Sequence, residues 1–241
     1  MNESLISTIR ERYERTLGQI TQAATASGRH PQDVHLLVVS KSQPLEVLQA
    51  SISAGITCFG ENYAEEAVAK ITAIGGIGVE WHMIGHVQSR KAGLVAGNFN
   101  MLHSLDSLKL AGRLDRFCAE LNRTLPVLLE FNVSGEESKS GFPAWEPERW
   151  PELEAQIEQI LDLPHLRVSG LMTMPPFYED AERTRPYFKR LREVKGFLEN
   201  RFPGPYWKEL SMGTSVDFLA AVQEGATFVR VGQAILGPRL K

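Results

Sequence analysis

Short apolar runs alternate with longer amphipathic stretches along nearly the whole chain, and this alternation constrains the fold more than any other feature. The predicted strands cover residues 35–40, 57–59, 80–84, 101–104, 127–133, 166–171, 207–210 and 227–231. The predicted helices cover residues 44–54, 61–74, 87–96, 107–121, 147–161, 182–200 and 215–225, with one more from the N-terminus to about Ala26. Strands and helices in alternation are typical of a parallel sheet covered by helices.

Eight strands in 241 residues fit a closed α/β (β/α)8 TIM-type barrel with an extra N-terminal helix. An open doubly wound sheet is the alternative that the pattern leaves open. The chain contains no low-complexity stretch and no long linker. Residues 1–241 are therefore predicted to form one barrel domain.

Composition excludes several classes of protein. The chain is 43% hydrophobic and 23% charged, as soluble globular proteins are, and its net charge of -3 favours neither nucleic acid nor an anionic membrane as partner. Cys58 and Cys118 are too few for a disulfide framework. The charged, helix-periodic N-terminus resembles neither a signal peptide nor a membrane anchor, so we expect a cytoplasmic protein.

In a barrel of this kind, functional side chains follow the carboxyl ends of the strands. The stretch "HLLVVSKSQP" places Lys41 directly after a run of aliphatic residues. A single lysine in this position usually marks a strand that has reached solvent. Burial would instead lower the pKa of a lysine and make its amine a nucleophile toward carbonyl groups.

The last two predicted strands end in "SMGTS" and "RVGQ", where barrels often bind phosphate. The hydroxyls of this segment and the free N–H groups of a helix start would hold an anion, and Gly213 and Gly232 would permit close approach of the backbone. The alternative for Thr214 and Asp217 is an ordinary capping box. Arg230 could serve a phosphate, a carboxylate or a ring nitrogen, or form an ion pair in the barrel mouth.

Closure of the barrel would make the first and last strands neighbours, so a ligand with an aldehyde near a phosphate would bridge Lys41 and the phosphate site. Pyridoxal phosphate is such a ligand, and its Schiff base with lysine is a recurring device in proteins. Triose or pentose phosphates, the substrates of Schiff-base aldolases, are the competing ligands.

Several segments are similar to a known family: "VSKSQP", "FGENYAEE", "WHMIGHVQSRK", "SKSGF", "GLMTMPP" and "LSMGTSVDFLAAVQEGATFVRVGQAILGPR". They resemble the pyridoxal phosphate homeostasis proteins, single barrels related to the N-terminal domain of alanine racemase. The resemblance runs from about residue 36 to residue 239. It implies a pyridoxal-phosphate-binding barrel that acts in vitamin B6 and amino-acid homeostasis.

The resemblance also implies roles for individual residues. Lys41 would carry the cofactor as a Schiff base, Asn62 would line its ring, and Arg230 would face the pyridine nitrogen. The residues implied at the phosphate are Ser211, Gly213, Thr214, Gly232 and Gln233. Lys139 would lie near the phenolic oxygen. Gln233 stands where Thr or Ser is frequent, which removes a hydroxyl but keeps the backbone contact, and Thr214 replaces a frequent Met.

Two classes of function remain, a cofactor-binding protein and an enzyme. Racemases of this fold use a tyrosine from a C-terminal domain that would follow Lys241, and an arginine at the pyridine nitrogen weakens the cofactor as an electron sink. We therefore expect a monomeric binder with no catalytic residue and little or no turnover, whose partners are pyridoxal phosphate and apo-enzymes that receive it. An amino-acid racemase or a Schiff-base aldolase is the alternative.

Other candidate residues have simpler interpretations. His82 and His86 form an H-x-x-x-H pair at a strand end with no evident third ligand, so we expect no metal site. Cys58 is predicted to be a packing residue. The carboxylates of Glu61, Asp106 and Glu130 are predicted to cap helices or to pair with Arg or Lys.

Overall fold

The computed structural model describes residues 3–75 and 78–238, so the ends of the predicted domain, residues 1–2 and 239–241, lie outside the described residues. The strands are β1 His35–Val39, β2 Cys58–Glu61, β3 Glu80–Met83, β4 Met101–Leu105, β5 Leu125–Asn132, β6 Phe142–Pro143, β7 Leu166–Met172, β8 Glu209–Thr214 and β9 Phe228–Val231. The helices are α1 Glu3–Ala26, α2 Leu45–Ser53, α3 Ala64–Ile74, α4 Ala92–Asn98, α5 Leu108–Glu120, α6 Glu154–Leu161, α7 Arg185–Arg201, α8 Phe218–Gln223 and α9 Gln233–Leu236.

Eight of these strands close into a parallel barrel. Neighbouring strands pair in the order β4-β3-β2-β1-β9-β8-β7-β5, and β4 also pairs with β5. In the seam between the first and last strands, Leu37 lies opposite Arg230 and Val38 opposite Val231. The predicted closed barrel is confirmed, and the open doubly wound alternative is wrong.

The amphipathic spacing of each helix explains how the barrel is covered. Helix α1 buries Ile6, Ile9 and Ile20 and packs against α2, α8 and α9. The buried apolar residues of the strands and the covering helices form one large core cluster. Within the described residues, we find no helix with the length and apolar character needed to cross a bilayer.

Several element boundaries differ from the prediction. The short strand β6 was not predicted; it pairs with β5 alone and stands outside the barrel. The predicted helix at 215–225 is reduced to α8, because residues 215–217 form a turn. Trp207 precedes β8, and its indole Nε1 donates to the carbonyl oxygen of Phe202 at 2.8 Å.

The interior of the barrel contains a line of hydrogen-bonded polar side chains, which we call the polar column. Arg230 Nη1 donates to Ser211 Oγ at 2.7 Å, Ser211 Oγ is hydrogen-bonded to His103 Nδ1 at 2.8 Å, and His103 Nε2 to His82 Nδ1 at 3.0 Å. Because β4 and β8 are not neighbours in the sheet, the contact between His103 and Ser211 crosses the interior. Apolar branched side chains usually fill this space.

Candidate functional site

A pocket of about 240 Å³ opens at the carboxyl ends of the strands. Its wall is formed by Val39, Lys41, Asn62, Ile84, Gly85, His86, Glu130, Met174, Thr214, Ser215, Arg230, Gly232 and Gln233. Six of the residues predicted for the site thus lie together, namely Lys41, Asn62, Thr214, Arg230, Gly232 and Gln233. Ser211, Gly213 and Lys139 are not among the residues of the wall.

Lys41 follows β1 at the pocket wall and is half-buried. The next residue, Ser42, has a φ of 56°, a left-handed conformation that is uncommon for any residue with a side chain. The amide of Ser42 donates to Glu66 Oε1 at 2.7 Å. The turn that presents Lys41 is therefore held in a strained conformation by contacts with α3.

A buried ion pair supports the same turn. Lys70 Nζ lies 2.7 Å from Glu61 Oε1 and also donates to the carbonyl oxygen of Ser40 at 2.8 Å. The hydroxyl of Ser40 donates to Glu61 Oε1 at 2.7 Å. Burial raises the pKa of Glu61, and the ammonium of Lys70 opposes part of that rise. Glu61 pairs with a lysine as predicted, but nothing in the sequence singles out Lys70 beyond its place on a helix.

The loop after β8 is closed by Asp217. Its carboxylate Oδ1 accepts from the Thr214 amide at 2.6 Å and from the Thr214 hydroxyl at 3.0 Å, while the amide of Asp217 donates to the carbonyl oxygen of Thr214 at 3.2 Å. Ser215, the last residue of the predicted "SMGTS" segment, also lines the pocket, and its hydroxyl accepts from the Gly232 amide at 3.3 Å. This contact joins the loops after β8 and β9 into one wall.

The two glycines of these loops are required by packing within the protein. Gly213 has a φ of 92°, and a Cβ there would lie 2.5 Å from Cβ of Ala221. A Cβ on Gly232 would lie 3.0 Å from the carbonyl oxygen of Val39. The sequence predicts that Gly213 lets an anion approach the backbone. The structure corrects this explanation, because α8 fills the space that a Cβ would occupy.

Arg230 lies at the base of the pocket and is 3% exposed. Besides Ser211, it donates to the carbonyl oxygen of Thr173 at 2.9 Å. Burial lowers its pKa to about 10, against the opposing charges of Asp217 and Glu130, so the guanidinium is charged at neutral pH. Ser211 is fully buried between Arg230 and His103, which places its hydroxyl in the polar column beneath the pocket.

Glu130 is a buried carboxylate in the pocket wall, a position that its sequence context does not predict. It lines the pocket and is 7% exposed. Within the described residues, its Oε2 has no hydrogen-bond partner, so the predicted pairing with Arg or Lys is not formed as a hydrogen bond. Burial and the charge of Asp106 raise its pKa to about 7, while Arg230 and Lys139 act in the opposite direction. Lys139 thus lies near the pocket without lining it.

The two histidines of the H-x-x-x-H pair lie at different depths. His86 lines the pocket mouth, and its Nδ1 lies 2.8 Å from Asp106 Oδ2. His82 lies inside the barrel against His103. The pair therefore does not share a ligand, and Asp106 pairs with a histidine rather than with Arg or Lys.

Comparison with known proteins gives a consistent result. The sequence profile described as "Alanine racemase, N-terminal domain" matches residues 19–239. A pyridoxal phosphate homeostasis protein of Aquifex aeolicus is 39% identical over 229 residues, which cover 95% of this chain and 97% of that protein. The structure of PipY from Synechococcus elongatus with PLP bound is 33% identical, with a TM-score of 0.80 over 95% of this chain and 100% of PipY.

An alanine racemase from Corynebacterium glutamicum shares the fold, with 18% identity, a TM-score of 0.70, and coverage of 95% of this chain and 61% of the racemase. The racemase thus extends well beyond the matched barrel, whereas the Aquifex relative and PipY match along nearly their whole lengths. The chain belongs to the alanine racemase N-terminal domain family and, within it, to the pyridoxal phosphate homeostasis proteins.

Proposed function

We propose that this protein binds pyridoxal 5'-phosphate through a Schiff base on Lys41 and acts in cytoplasmic vitamin B6 homeostasis. The observation that carries the proposal is the meeting of Lys41, Arg230 and two joined polar loops in one pocket. A structure of PipY, which is 33% identical over 95% of this chain, has PLP bound. Delivery of the cofactor to apo-enzymes is part of the same proposal.

The pocket offers polar atoms that suit such a ligand. Asn62 Oδ1 and Glu130 Oε2 are buried and, among the residues described, have no hydrogen-bond partner. A buried polar atom without a partner costs about 1–3 kcal/mol, which a bound polar ligand would recover. Asn62 follows β2 and Glu130 lies in β5, so the two atoms are supplied by different strands of the barrel.

Each residue then has a physical task. The Ser215 hydroxyl and the Gln233 N–H would hold the phosphate, together with the Thr214 hydroxyl and the Gly232 N–H once these are released from Asp217 and Ser215. Arg230 would direct its fixed positive charge at the ring nitrogen, and Asn62 would orient the ring. Lys139 is placed to neutralise negative charge near Glu130. The cofactor would supply an aldehyde for reversible imine formation, and the Lys70–Glu61 pair would keep the Lys41 turn in place.

We infer that turnover is slight. Arg230 stays charged, so it disfavours protonation of the ring nitrogen and weakens the electron sink that racemases need. The pocket wall described here contains no tyrosine. Glu130 is the observation that favours the racemase alternative, because a carboxyl group with a pKa of about 7 can exchange protons at neutral pH.

The binding proposal is tested by loading the protein with pyridoxal phosphate, reducing with borohydride and mapping the adduct by mass spectrometry. The expected result is a visible absorption band and a stable adduct on Lys41. The Lys41→Ala variant should lose both, whereas Lys91→Ala, which removes another lysine near the mouth, should keep both. A wild-type protein that stays colourless and unmodified in excess cofactor would overturn the proposal.

The choice between binder and enzyme needs a separate measurement. Loaded protein is incubated with L-alanine and with D-alanine, and the enantiomers are followed by chiral chromatography. We expect rates far below the usual enzymatic range of about 1–10³ s⁻¹. Turnover within that range, abolished in Glu130→Gln, would establish the racemase alternative instead.

A further inference from the structure

A second cleft lies at the opposite end of the barrel, where the strands begin. Its volume is about 390 Å³, and Glu80, His82, Asn100 and Arg167 contribute to its wall. None of these residues lines the Lys41 pocket. Barrels of this type place their chemistry at the carboxyl ends of the strands, so a cluster of reactive side chains at the amino ends calls for a separate explanation.

Three metal-ligating atoms converge beside this cleft. Cys58 and Glu80 are the first residues of β2 and β3 and lie directly opposite each other. Glu80 and His82 are two residues apart in β3, so their side chains share one face of the strand. The Sγ of Cys58 lies 3.9 Å from His82 Nε2, and Glu80 Oε2 lies 3.7 Å from the same nitrogen. All three ligand atoms lie within 4.8 Å of one another.

The Nδ1 atom of His82 has a hydrogen-bond partner inside the barrel. His82 Nδ1 lies 3.0 Å from His103 Nε2, and His103 Nδ1 lies 2.8 Å from Ser211 Oγ. If Nε2 of His82 binds a cation, Nδ1–H donates to His103, whose own Nδ1–H donates to the Ser211 oxygen. Metal-ligating histidines usually have such an outer partner, which fixes the ring and its tautomer. In this tautomer, His82 Nε2 presents a free electron pair toward Cys58 and Glu80.

We propose that Cys58, Glu80 and His82 form a zinc-binding site at the amino end of the barrel, with a fourth coordination position facing the cleft. Thiolate, imidazole and carboxylate are all ligands of Zn²⁺, and three protein ligands with an open position form a known class of zinc site. Ideal tetrahedral bond lengths place sulfur and nitrogen about 3.6 Å apart, so Cys58 Sγ and His82 Nε2 must approach by a few tenths of an ångström, and the Glu80 carboxylate must move in to complete the ligand set. The Glu80 side chain is 67% exposed and has room to make that movement.

The alternative is a neutral cysteine that only packs. Burial raises the pKa of the Cys58 thiol to about 12, which makes it a poor nucleophile and argues against a redox or catalytic role. A bound metal ion displaces the thiol proton outright, so the high value does not prevent ligation. Packing alone explains neither the opposed carboxylate nor the buried histidine aimed at both groups.

The test is equilibrium dialysis of tag-free, full-length protein against Zn²⁺, with the metal measured by atomic emission. We expect one zinc per chain in the wild type and a loss of affinity of at least about 100-fold in Cys58→Ser and Glu80→Gln, since even outer-shell substitutions cost about 10–100-fold. Cys118→Ser, which changes the other cysteine, should bind as the wild type does. Glu80→Gln alters an exposed side chain, so this variant should fold even if the Cys58 substitution disturbs the core.

Co²⁺ identifies the ligands directly. The cobalt-loaded wild type should show a thiolate charge-transfer band and visible d–d bands, and Cys58→Ser should lack the former. The Lys41→Ala variant should bind both metals as the wild type does, which separates this proposal from the one for pyridoxal phosphate. Equal zinc binding by wild type, Cys58→Ser and Glu80→Gln, or a wild type that retains no zinc, would overturn the proposal.

Discussion

Two buried glutamates near the pocket have different surroundings. Glu61, at the end of β2, is 0% exposed and receives hydrogen bonds from Lys70 at 2.7 Å and from Ser40 at 2.7 Å. Glu130, in β5, is 7% exposed. The Oε2 atoms of both glutamates have no partner among the described residues, but only Glu61 has a lysine at hydrogen-bond distance from its Oε1. Burial raises the pKa of both, so burial alone does not distinguish them.

The difference lies in what each carboxylate faces. Glu61 is paired with a lysine of its own covering helix, and the pair reaches the backbone at Ser40, next to Lys41. Glu130 faces the pocket, where a ligand would complete its hydrogen bonds. A buried carboxylate with a counter-charge at hydrogen-bond distance therefore marks the support of the site, and one without such a partner marks its binding surface. Substitutions that remove one partner at a time test this distinction.

The largest effect is expected at Lys70. Lys70→Met leaves Glu61 buried without its counter-charge and should lower the free energy of unfolding by about 3–5 kcal/mol. Urea denaturation monitored by circular dichroism measures the loss. Lys91→Met is the matched control, because its partner Glu65 is exposed and surface ion pairs contribute little.

A double variant sharpens the same result. Glu61→Leu combined with Lys70→Met replaces the pair by apolar side chains and should recover much of the stability lost by Lys70→Met alone. No recovery would mean that Lys70 stabilises the barrel through the Ser40 carbonyl and not through Glu61.

Glu130 should make the free energy of unfolding depend on pH. Its pKa is about 7 in the folded protein against 4.5 ordinarily, so the folded state binds the proton more tightly than the unfolded state. Proton binding by Glu130 therefore stabilises the folded state. This stabilisation is complete below the pKa that Glu130 has in the unfolded chain, and it is lost as pH rises through the pKa of about 7 in the folded protein. At 1.36 kcal/mol per pKa unit, wild type should lose about 3 kcal/mol relative to Glu130→Gln between about pH 4 and about pH 8.

Urea denaturation of both proteins across this range measures the difference. Glu136→Gln, on the exposed loop after β5, should keep the slope of the wild type. If the free energy of unfolding changed with pH in the same way for wild type and Glu130→Gln, Glu130 would ionise normally and would not differ from Glu61 as described.

The sequence predicts the barrel because the evidence for it is local. Alternating strands and helices, and the aliphatic run before Lys41, are visible residue by residue. The sequence also predicts one pocket for Lys41, Arg230 and the two polar loops, because a closed barrel brings its first and last strands together. The closure observed between β1 and β9 confirms that premise.

Contacts that depend on side-chain direction were not predictable in this way. Lys70 is one of several charged residues of α3, and nothing in its spacing shows that it turns inward to Glu61. Ser211 was assigned to a ligand, but the alternation of β8 directs its hydroxyl to Arg230 and His103 inside the barrel. The sequence predicts that a Cβ at Gly213 would obstruct an anion. In the structure, that Cβ would instead collide with Ala221 of α8.

Ser40 tests the hydroxyl part of the Glu61 network. Ser40→Ala removes a hydrogen bond to a buried carboxylate and should cost about 2 kcal/mol, within the range for bonds to charged groups. Ser51→Ala is the control, because this equally buried hydroxyl donates to the neutral carbonyl of Val47 at 2.7 Å. Its loss should cost only about 1 kcal/mol. Equal losses in the two variants would show that the charge on Glu61 adds nothing at Ser40.

The smallest effect is expected at Glu66, the outer partner of Lys70. Its side chain is 32% exposed and lies 2.6 Å from Lys70 Nζ, so solvent screens the charge that Glu66→Gln removes. The loss should be about 0–1 kcal/mol and should shrink in high salt. Because glutamine keeps an oxygen that can accept from the Ser42 amide, the turn at Lys41 is preserved and cofactor binding should be unchanged. A loss close to that of Lys70→Met, measured by urea denaturation, would place the effective counter-charge of Lys70 on Glu66 instead of Glu61.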